Sequence, residues 1–340
     1  MNKTNDIEKF FNSLTKIPKF DNFKASKAKQ LQNELLKPVG SLGKLEEYAI
    51  WMAGWQRKIK PSIKNAHCLI FAGNHGIANK GVSAFPSEVT AQMVANFKEG
   101  GAAINQLCEL AELKLKVIPL ELEKPTRDFS ENLAMEKEDV ISAMQIGFDS
   151  VPSNCDLLVL GEMGISNTTS ASALSCALFN ETVESMTGIG TGLNEIQLAN
   201  KISVIKSALK LHGTKFKSTL KILSCFGGRE MAAIVGSVIS ARLKSVPVLL
   251  DGFICTAAAS SLILFDQNML DHCLISHLST EPGHLKILSY LNKDPILDLN
   301  LRLGEGSGAA VASLILKSAL ATHNGMSTFS EASVTNRNHS

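Results

Sequence analysis

Residues 157–173 read L-L-V-L-G-E-M-G-I-S-N-T-T-S-A-S-A, and this stretch decides the fold. A short apolar run, 157–160, has the texture of a strand. A small polar run follows, Gly164, Ser166, Asn167, Thr168 and Thr169, and opens a helical pattern over about 167–178. The same texture extends outward from His67. Apolar segments at 68–72, 115–118, 222–225, 246–250 and 273–277 are predicted strands. Helical patterns lie at about 87–109, 136–149, 193–211, 229–243, 253–264, 284–291 and 307–322. Strand–helix alternation predicts a parallel sheet with helices on both faces, an α/β class of Rossmann-like design. Such sheets bind ligands at the carboxyl ends of their strands, where this chain keeps its glycines and polar residues.

The flanks differ. Residues 1–36 are polar, with a helix expected from about Ser26 to Leu36. K-P-V-G-S-L-G then punctuates the chain. Ser41 is the expected N-cap of a helix carrying Leu42, Leu45, Ala49 and Met52. Residues 335–340 are polar and expected to fray. No internal repeat and no low-complexity linker is evident.

At 340 residues and 45% hydrophobic content the chain supports one large domain or two smaller ones. A formal net charge of +2 implies no preference for nucleic acid or a membrane surface. No apolar run reaches the roughly 18 residues of a membrane span. The start, M-N-K-T-N-D-I-E-K-F-F, lacks the apolar core of a signal peptide, so a cytoplasmic location is expected. Seven scattered cysteines without a C-x-x-C pair point to reduced, buried thiols. The eight histidines show neither H-x-x-x-H nor H-E-x-x-H spacing, so no zinc site is expected.

Six segments carry candidate chemistry. In L-R-L-G-E-G-S-G-A-A (301–310) a lone carboxylate, Glu305, sits among three glycines where a helix starts, and free N–H groups there favour anions. The competing reading is a solvated Glu on a turn. F-A-G-N-H-G-I-A (71–78) leads into G-V-S-A-F-P-S-E-V-T-A-Q-M (81–93). There Phe85 and Pro86 can wall a flat aromatic ligand and Gln92 can hydrogen-bond it, or the segment is a loop with an N-cap at Ser87. The run after 157–160 suits a phosphate cradle, with Glu162 as a second carboxylate or a structural acceptor. T-G-I-G-T-G-L (187–193) suits phosphate or ribose hydroxyls, although such turns are common. S-H-L-S-T-E-P-G-H (276–284) offers Ser279 to a ligand, with His284 either an acid–base group or a polar residue at a helix start. D-G-F-I-C-T-A-A-A (251–259) offers Asp251, functional or simply capping the next helix. Together they predict one crevice for an anionic, phosphorylated small ligand and carboxylate chemistry.

Taken in order, these segments, with K-P-V-G-S-L-G-K-L-E at Lys37, resemble the nicotinate-nucleotide–dimethylbenzimidazole phosphoribosyltransferase family over residues 37–332. The resemblance implies transfer of phosphoribose from nicotinate mononucleotide to 5,6-dimethylbenzimidazole, with inversion from β to α. The products would be nicotinate and α-ribazole 5′-phosphate, which supplies the lower ligand of cobalamin. It implies Glu305 as catalytic base and Glu162 as a second carboxylate near the reaction centre. Phosphate and ribose contacts would fall on Gly164, Asn167, Thr168, Gly190, Ser279, Gly306 and Gly308, and the benzimidazole pocket on Phe85, Gln92 and Leu303. It implies no metal and no cofactor, a homodimer, and a small helical domain formed by 1–62 and about 323–340 beside an α/β catalytic domain, 63–322. Three positions depart from the family's frequent residues: Asn74 for Asp, Ser166 for Gly, and Ile189 for Arg. Two other classes compete. A dinucleotide-dependent oxidoreductase is disfavoured by the missing G-x-G-x-x-G. A non-catalytic sensor would have no need of Glu305.

Overall fold

The computed structural model describes residues 17–335. The charged opening of the chain, up to residue 16, and residues 336–340 of the expected frayed end lie outside the described residues.

Among the described residues the first helices are α1 (Asn22–Glu34) and α2 (Lys44–Gln56). The α/β part follows as β1 (Ala66–Ala72), α3 (Glu88–Glu99), α4 (Ala103–Leu110), β2 (Lys114–Pro119), α5 (Lys137–Ser150), β3 (Leu157–Met163), α6 (Asn167–Phe179) and α7 (Val183–Met186). It continues as α8 (Glu195–His212), α9 (Thr219–Phe226), α10 (Arg229–Leu243), β4 (Val248–Leu250), α11 (Gly252–Ser260), β5 (Cys273–Ser279), α12 (Pro282–Leu291), β6 (Pro295–Leu301) and α13 (Ser307–Gly325). The six strands form one parallel sheet in the order β2-β1-β3-β4-β5-β6. The order reverses between β1 and β3, and a crevice opens at the carboxyl ends of strands beside such a reversal.

Side chains alternate across the strands, so each face has its own core. Leu69, Phe71, Leu158, Leu160, Val248 and Leu250 face the helices α5, α6, α9, α10 and α11. Cys68, Ile70, Leu157, Val159 and Leu249 face α2, α4 and α13. Glycines let the central helices touch. A Cβ on Gly147 of α5 would lie 1.9 Å from Ala233 O, and one on Gly236 of α10 would lie 1.8 Å from Met144 O. All seven cysteines are buried and free, as expected of reduced thiols.

The segment around α1 meets the end of α13 and the residues after it. Leu35 bridges Thr328, and Gln32 Nε2 lies 2.8 Å from His323 Nδ1. The K-P-V-G-S-L-G turn is held by a buried Lys37–Glu46 ion pair at 2.7 Å, with Glu46 Oε1 also accepting from Leu42 N at 3.0 Å.

Several expectations are corrected. Residues 222–225 are helical, inside α9. An apolar run of that length does not separate a strand from a helix buried on most sides, and Ser218 caps this one by accepting from Lys221 N. Strand β6 is absent from the predicted strands: P-I-L-D-L-N-L is an edge strand with polar residues facing out. The single helix at 87–109 is two, parted at Gly100, whose φ is +81°. The 253–264 helix gives way to a 3-10 turn at Ser261–Leu264. The first helix begins at Asn22, capped by Asp21, rather than near Ser26. Neither Ser41 nor Ser87 caps a helix through its side chain; α2 starts after Gly43, and Ser87 makes no cap bond.

Candidate active site

The ends of β3, β4, β5 and β6 converge on one cavity. It is lined from β3 by Glu162 and Gly164, from the start of α6 by Asn167 and Thr168, and from the β4 end by Asp251 and Phe253. His277, Ser279 and Glu281 come from the β5 end, and Arg302, Leu303 and Gly304 from the turn before α13. Its volume is about 80 Å³. The end of β6 is steered toward it by a register shift against β5: His277 pairs with Leu297 but Ser279 with Leu301.

Glu305 follows the lining residue Gly304 on the same turn and is not itself among the residues that line the cavity. It is 5% exposed, and it lies in the left-handed region with φ 61°. Its neighbours Gly304 and Gly306 also have positive φ, 79° and 76°. A non-glycine residue in this region costs energy and persists only where the surroundings impose it. Burial, and then the nearby Asp251 charge, push the Glu305 carboxyl up to about 7. Glu162 lies deeper. Burial first, then the charges of Asp251, Glu230 and Glu305, hold it well above the usual carboxylate range, against the opposing hydrogen bond from Asn167 Nδ2. Both carboxyls are thus raised above the ordinary range, Glu305 to about 7 and Glu162 chiefly by its deeper burial. Carboxyls raised in this way in a crevice are candidates for acid–base work.

A buried cation stands behind the lining residue Thr168. Lys201, in α8, is fully buried, and its Nζ donates to Thr168 Oγ1 at 2.9 Å and to Gly188 O at 3.1 Å. Burial lowers its pKa to about 8, against the pull of Glu281. Glu281 Oε1 accepts from Gly190 N at 2.8 Å, fixing the glycine turn beside Lys201. Thr168 and the N-terminus of α6, which line the cavity, with this buried ammonium behind them, favour an anion.

Of the expected site residues, Glu162, Gly164, Asn167, Thr168, Gly190, Ser279 and Leu303 line this cavity. Leu303 is 55% exposed and Ile189 45%, an apolar rim above the polar floor. Phe85, 48% exposed and before α3, and Gln92, exposed and inside α3, lie outside the cavity lining. Gly306 and Gly308 are buried packing positions. A Cβ on Gly306 would lie 2.9 Å from Ile70 Cδ1, and one on Gly308 2.0 Å from His277 Cδ2. Ser166 has φ 75°, a side chain standing in the left-handed region that favours glycine.

Two alternatives left open by the sequence are resolved. His284 is fully buried; its Nδ1 accepts from Ser279 N at 2.9 Å, and burial lowers its pKa to about 3, so it braces the Ser279 loop rather than moving protons. Asp251 does not cap the helix that follows it. Its Oδ2 accepts from Gly306 N and its Oδ1 from Ala309 N, both at 3.0 Å, so it caps α13 from the far side of the crevice. Sequence reading misses His277, Lys201, Glu281 and the buried His75–Glu230 pair, 2.7 Å apart. Lys201 sits in a helix whose other lysines face out, and no local signal marks it. His277 and Glu281 fall inside the 276–284 segment, where the sequence points only to Ser279 and His284.

Residues 17–334 match a family model described as phosphoribosyltransferase. The chain is 48% identical over 328 residues to a nicotinate-nucleotide–dimethylbenzimidazole phosphoribosyltransferase from a Ruegeria species, covering 96% of this chain and 97% of that one. It is 48% identical over 321 residues to the protein of that name from Methylorubrum extorquens, covering 94% of each. The crystal structure of the so-named protein from Thermus thermophilus superposes with a TM-score of 0.86 at 34% identity, over 93% of this chain and all of that one.

Proposed function

Because the chain belongs to the nicotinate-nucleotide–dimethylbenzimidazole phosphoribosyltransferase family, we propose that its crevice transfers phosphoribose from nicotinate mononucleotide to 5,6-dimethylbenzimidazole. The products are nicotinate and α-ribazole 5′-phosphate, the nucleotide of the cobalamin lower ligand. One observation supports the residue assignment: Glu305, on a left-handed turn next to the cavity-lining Gly304, has a carboxyl poised at about 7.

The chemistry follows from that placement. The leaving nicotinate is a pyridinium in the substrate, so its ring nitrogen takes the electron pair of the breaking C1′–N bond without acid help. A benzimidazole nitrogen attacks C1′ from the opposite face, which inverts the anomeric centre. The N–H proton of the new benzimidazolium passes to Glu305. A base with its pKa near the working pH is well matched to this step. Carboxyl oxygens near C1′ also stabilise developing ribosyl cation character. Thr168 and the N-terminus of α6, with Lys201 behind Thr168, are the natural contacts of the 5′-phosphate, and Leu303 that of the flat base. The rest is positioning.

The same reading includes a homodimer in the cytoplasm, and a small unit made from 1–62 and 323–340 beside the 63–322 domain. Chromatography of nicotinate mononucleotide incubated with dimethylbenzimidazole is the test. Wild type is expected to yield ribazole phosphate, and Glu305→Gln to lose roughly a hundredfold or more in kcat. Full turnover in Glu305→Gln removes the base assignment. No product from wild type with any benzimidazole or purine base removes the transferase.

A further inference from the structure

Three consecutive residues, Gly304, Glu305 and Gly306, have positive φ. A turn of that kind needs an external tie. Within the turn, Ser307 N and Oγ both donate to Gly304 O, at 3.0 and 2.7 Å. The tie from outside is Asp251. This carboxylate is 1% exposed, ends β4, and commits both oxygens to N–H groups of a different element, Gly306 N and Ala309 N. Behind it, His277 Nε2 lies 3.2 Å from Oδ1, a close ion-pair contact that is off hydrogen-bonding alignment. His277 in turn fills the space left by two glycines: a Cβ on Gly252 would lie 3.0 Å from its Nε2, and one on Gly308 2.0 Å from its Cδ2.

We propose that Asp251, backed by His277, is a positioning residue for the general base: it locks the Glu305 turn through Gly306 and Ala309, and its charge keeps the Glu305 carboxyl ready to accept a proton. The proposal rests on Glu305 being that base. The charged groups around the turn are Glu162 from β3, Asp251 from β4, His277 and Glu281 from β5, Glu230 from α10, and Arg302 on the turn itself. Of these, Asp251 is the one charge that raises Glu305 beyond the effect of burial. Contact with Asp251 also lifts the His277 pKa above its ordinary value, against the lowering effect of burial. The imidazolium so favoured offsets part of the Asp251 charge.

The variants Asp251→Asn and His277→Gln carry the test, because they pull in opposite directions. Asparagine keeps the volume, removes the charge and leaves one of the two N–H groups without an acceptor. Its kcat is expected to fall roughly tenfold or more, with KM for nicotinate mononucleotide nearly unchanged. The acid limb of its kcat/KM profile should move down by about one pH unit. His277→Gln removes the offsetting cation, so its limb should move up. Carbon-13 NMR of labelled Glu carboxyls reads the same coupling without turnover: the Glu305 resonance should titrate lower in Asp251→Asn and higher in His277→Gln. A Glu305 midpoint that stays put in both variants overturns the proposal. Should Asp251→Asn fail to fold, His277→Gln decides alone. If the NMR shifts appear while Glu305→Gln keeps its activity, the coupling stands and the base assignment is what fails.

Discussion

Glu305 shows how a single residue gives up stability for chemistry. A carboxyl with a folded pKa near 7 binds its proton more tightly than the same group in the unfolded chain, near 4.5. Its contribution to stability is therefore intact below about pH 4.5 and is lost as pH rises through 7. The full loss is roughly 3 kcal/mol. Glutamine at this position is neutral at every pH and escapes it. Urea unfolding of wild type and Glu305→Gln at pH 5 and pH 8.5 should show the variant gaining relative stability at the higher pH by up to about that amount. A difference between the two proteins that does not change with pH would show that the Glu305 carboxyl is not raised. Glu162 acts in the same direction from deeper in the crevice, since burial raises it too.

At the scale of elements, the site is a contact between helix ends and strand ends, and small residues set the distances. Gly308 is in the first turn of α13 and faces the His277 ring on β5. Gly308→Ala must displace that ring and with it the Asp251 tie. Overpacking of this kind costs about 1–3 kcal/mol. Activity is expected to fall by roughly tenfold or more because the Glu305 turn moves. Both are read from a melting curve and a kcat measured on the same preparation; a full-rate Gly308→Ala enzyme would sever the link between α13 and the base. The elements also show what a sequence can carry. Glu305 and the polar run at 164–169 are legible because glycines and hydroxyls before a helical pattern have a local physical meaning. The sheet is legible through its apolar strands. Strand β6 is not, because an edge strand with Asp298 and Asn300 facing out lacks the apolar run of a buried one. α9 reads as a strand because burial on most sides hides helical periodicity. Lys201 and His277 act through partners distant in the chain, Thr168 at one end of the crevice and Asp251 at the other, and no spacing rule connects them.

Across the whole molecule, α13 joins the crevice to the chain ends. Its 19 residues span about 28 Å, from the turn that holds Glu305 to Gly325, two residues past His323. His323 is fully buried; Nδ1 meets Gln32 and Nε2 meets Ile59 O at 2.9 Å. The isolated Leu35–Thr328 bridge and the bond from Asn324 Nδ2 to Pro61 O at 2.8 Å bind the same region. Burial is the main cause that lowers the His323 pKa, and it lowers His272 and His284 to about 3. These groups bind protons more readily when unfolded. The stability they contribute is present above about pH 6.5 and is lost as pH falls. The raised carboxyls of the crevice work the other way, so acidification should loosen the chain ends while easing the strain of charge at the site. His323→Ala removes a buried ring and both of its bonds, and is expected to cost about 2–4 kcal/mol at pH 7.5. The penalty relative to wild type should shrink toward pH 5, where wild type has itself lost the histidine contribution. Hydrogen exchange followed by mass spectrometry at the two pH values separates the outcomes: faster exchange in α1 and the last turns of α13 before the sheet loosens supports a unit built from both chain ends. Exchange that rises everywhere together would show that the ends and the sheet unfold as one body.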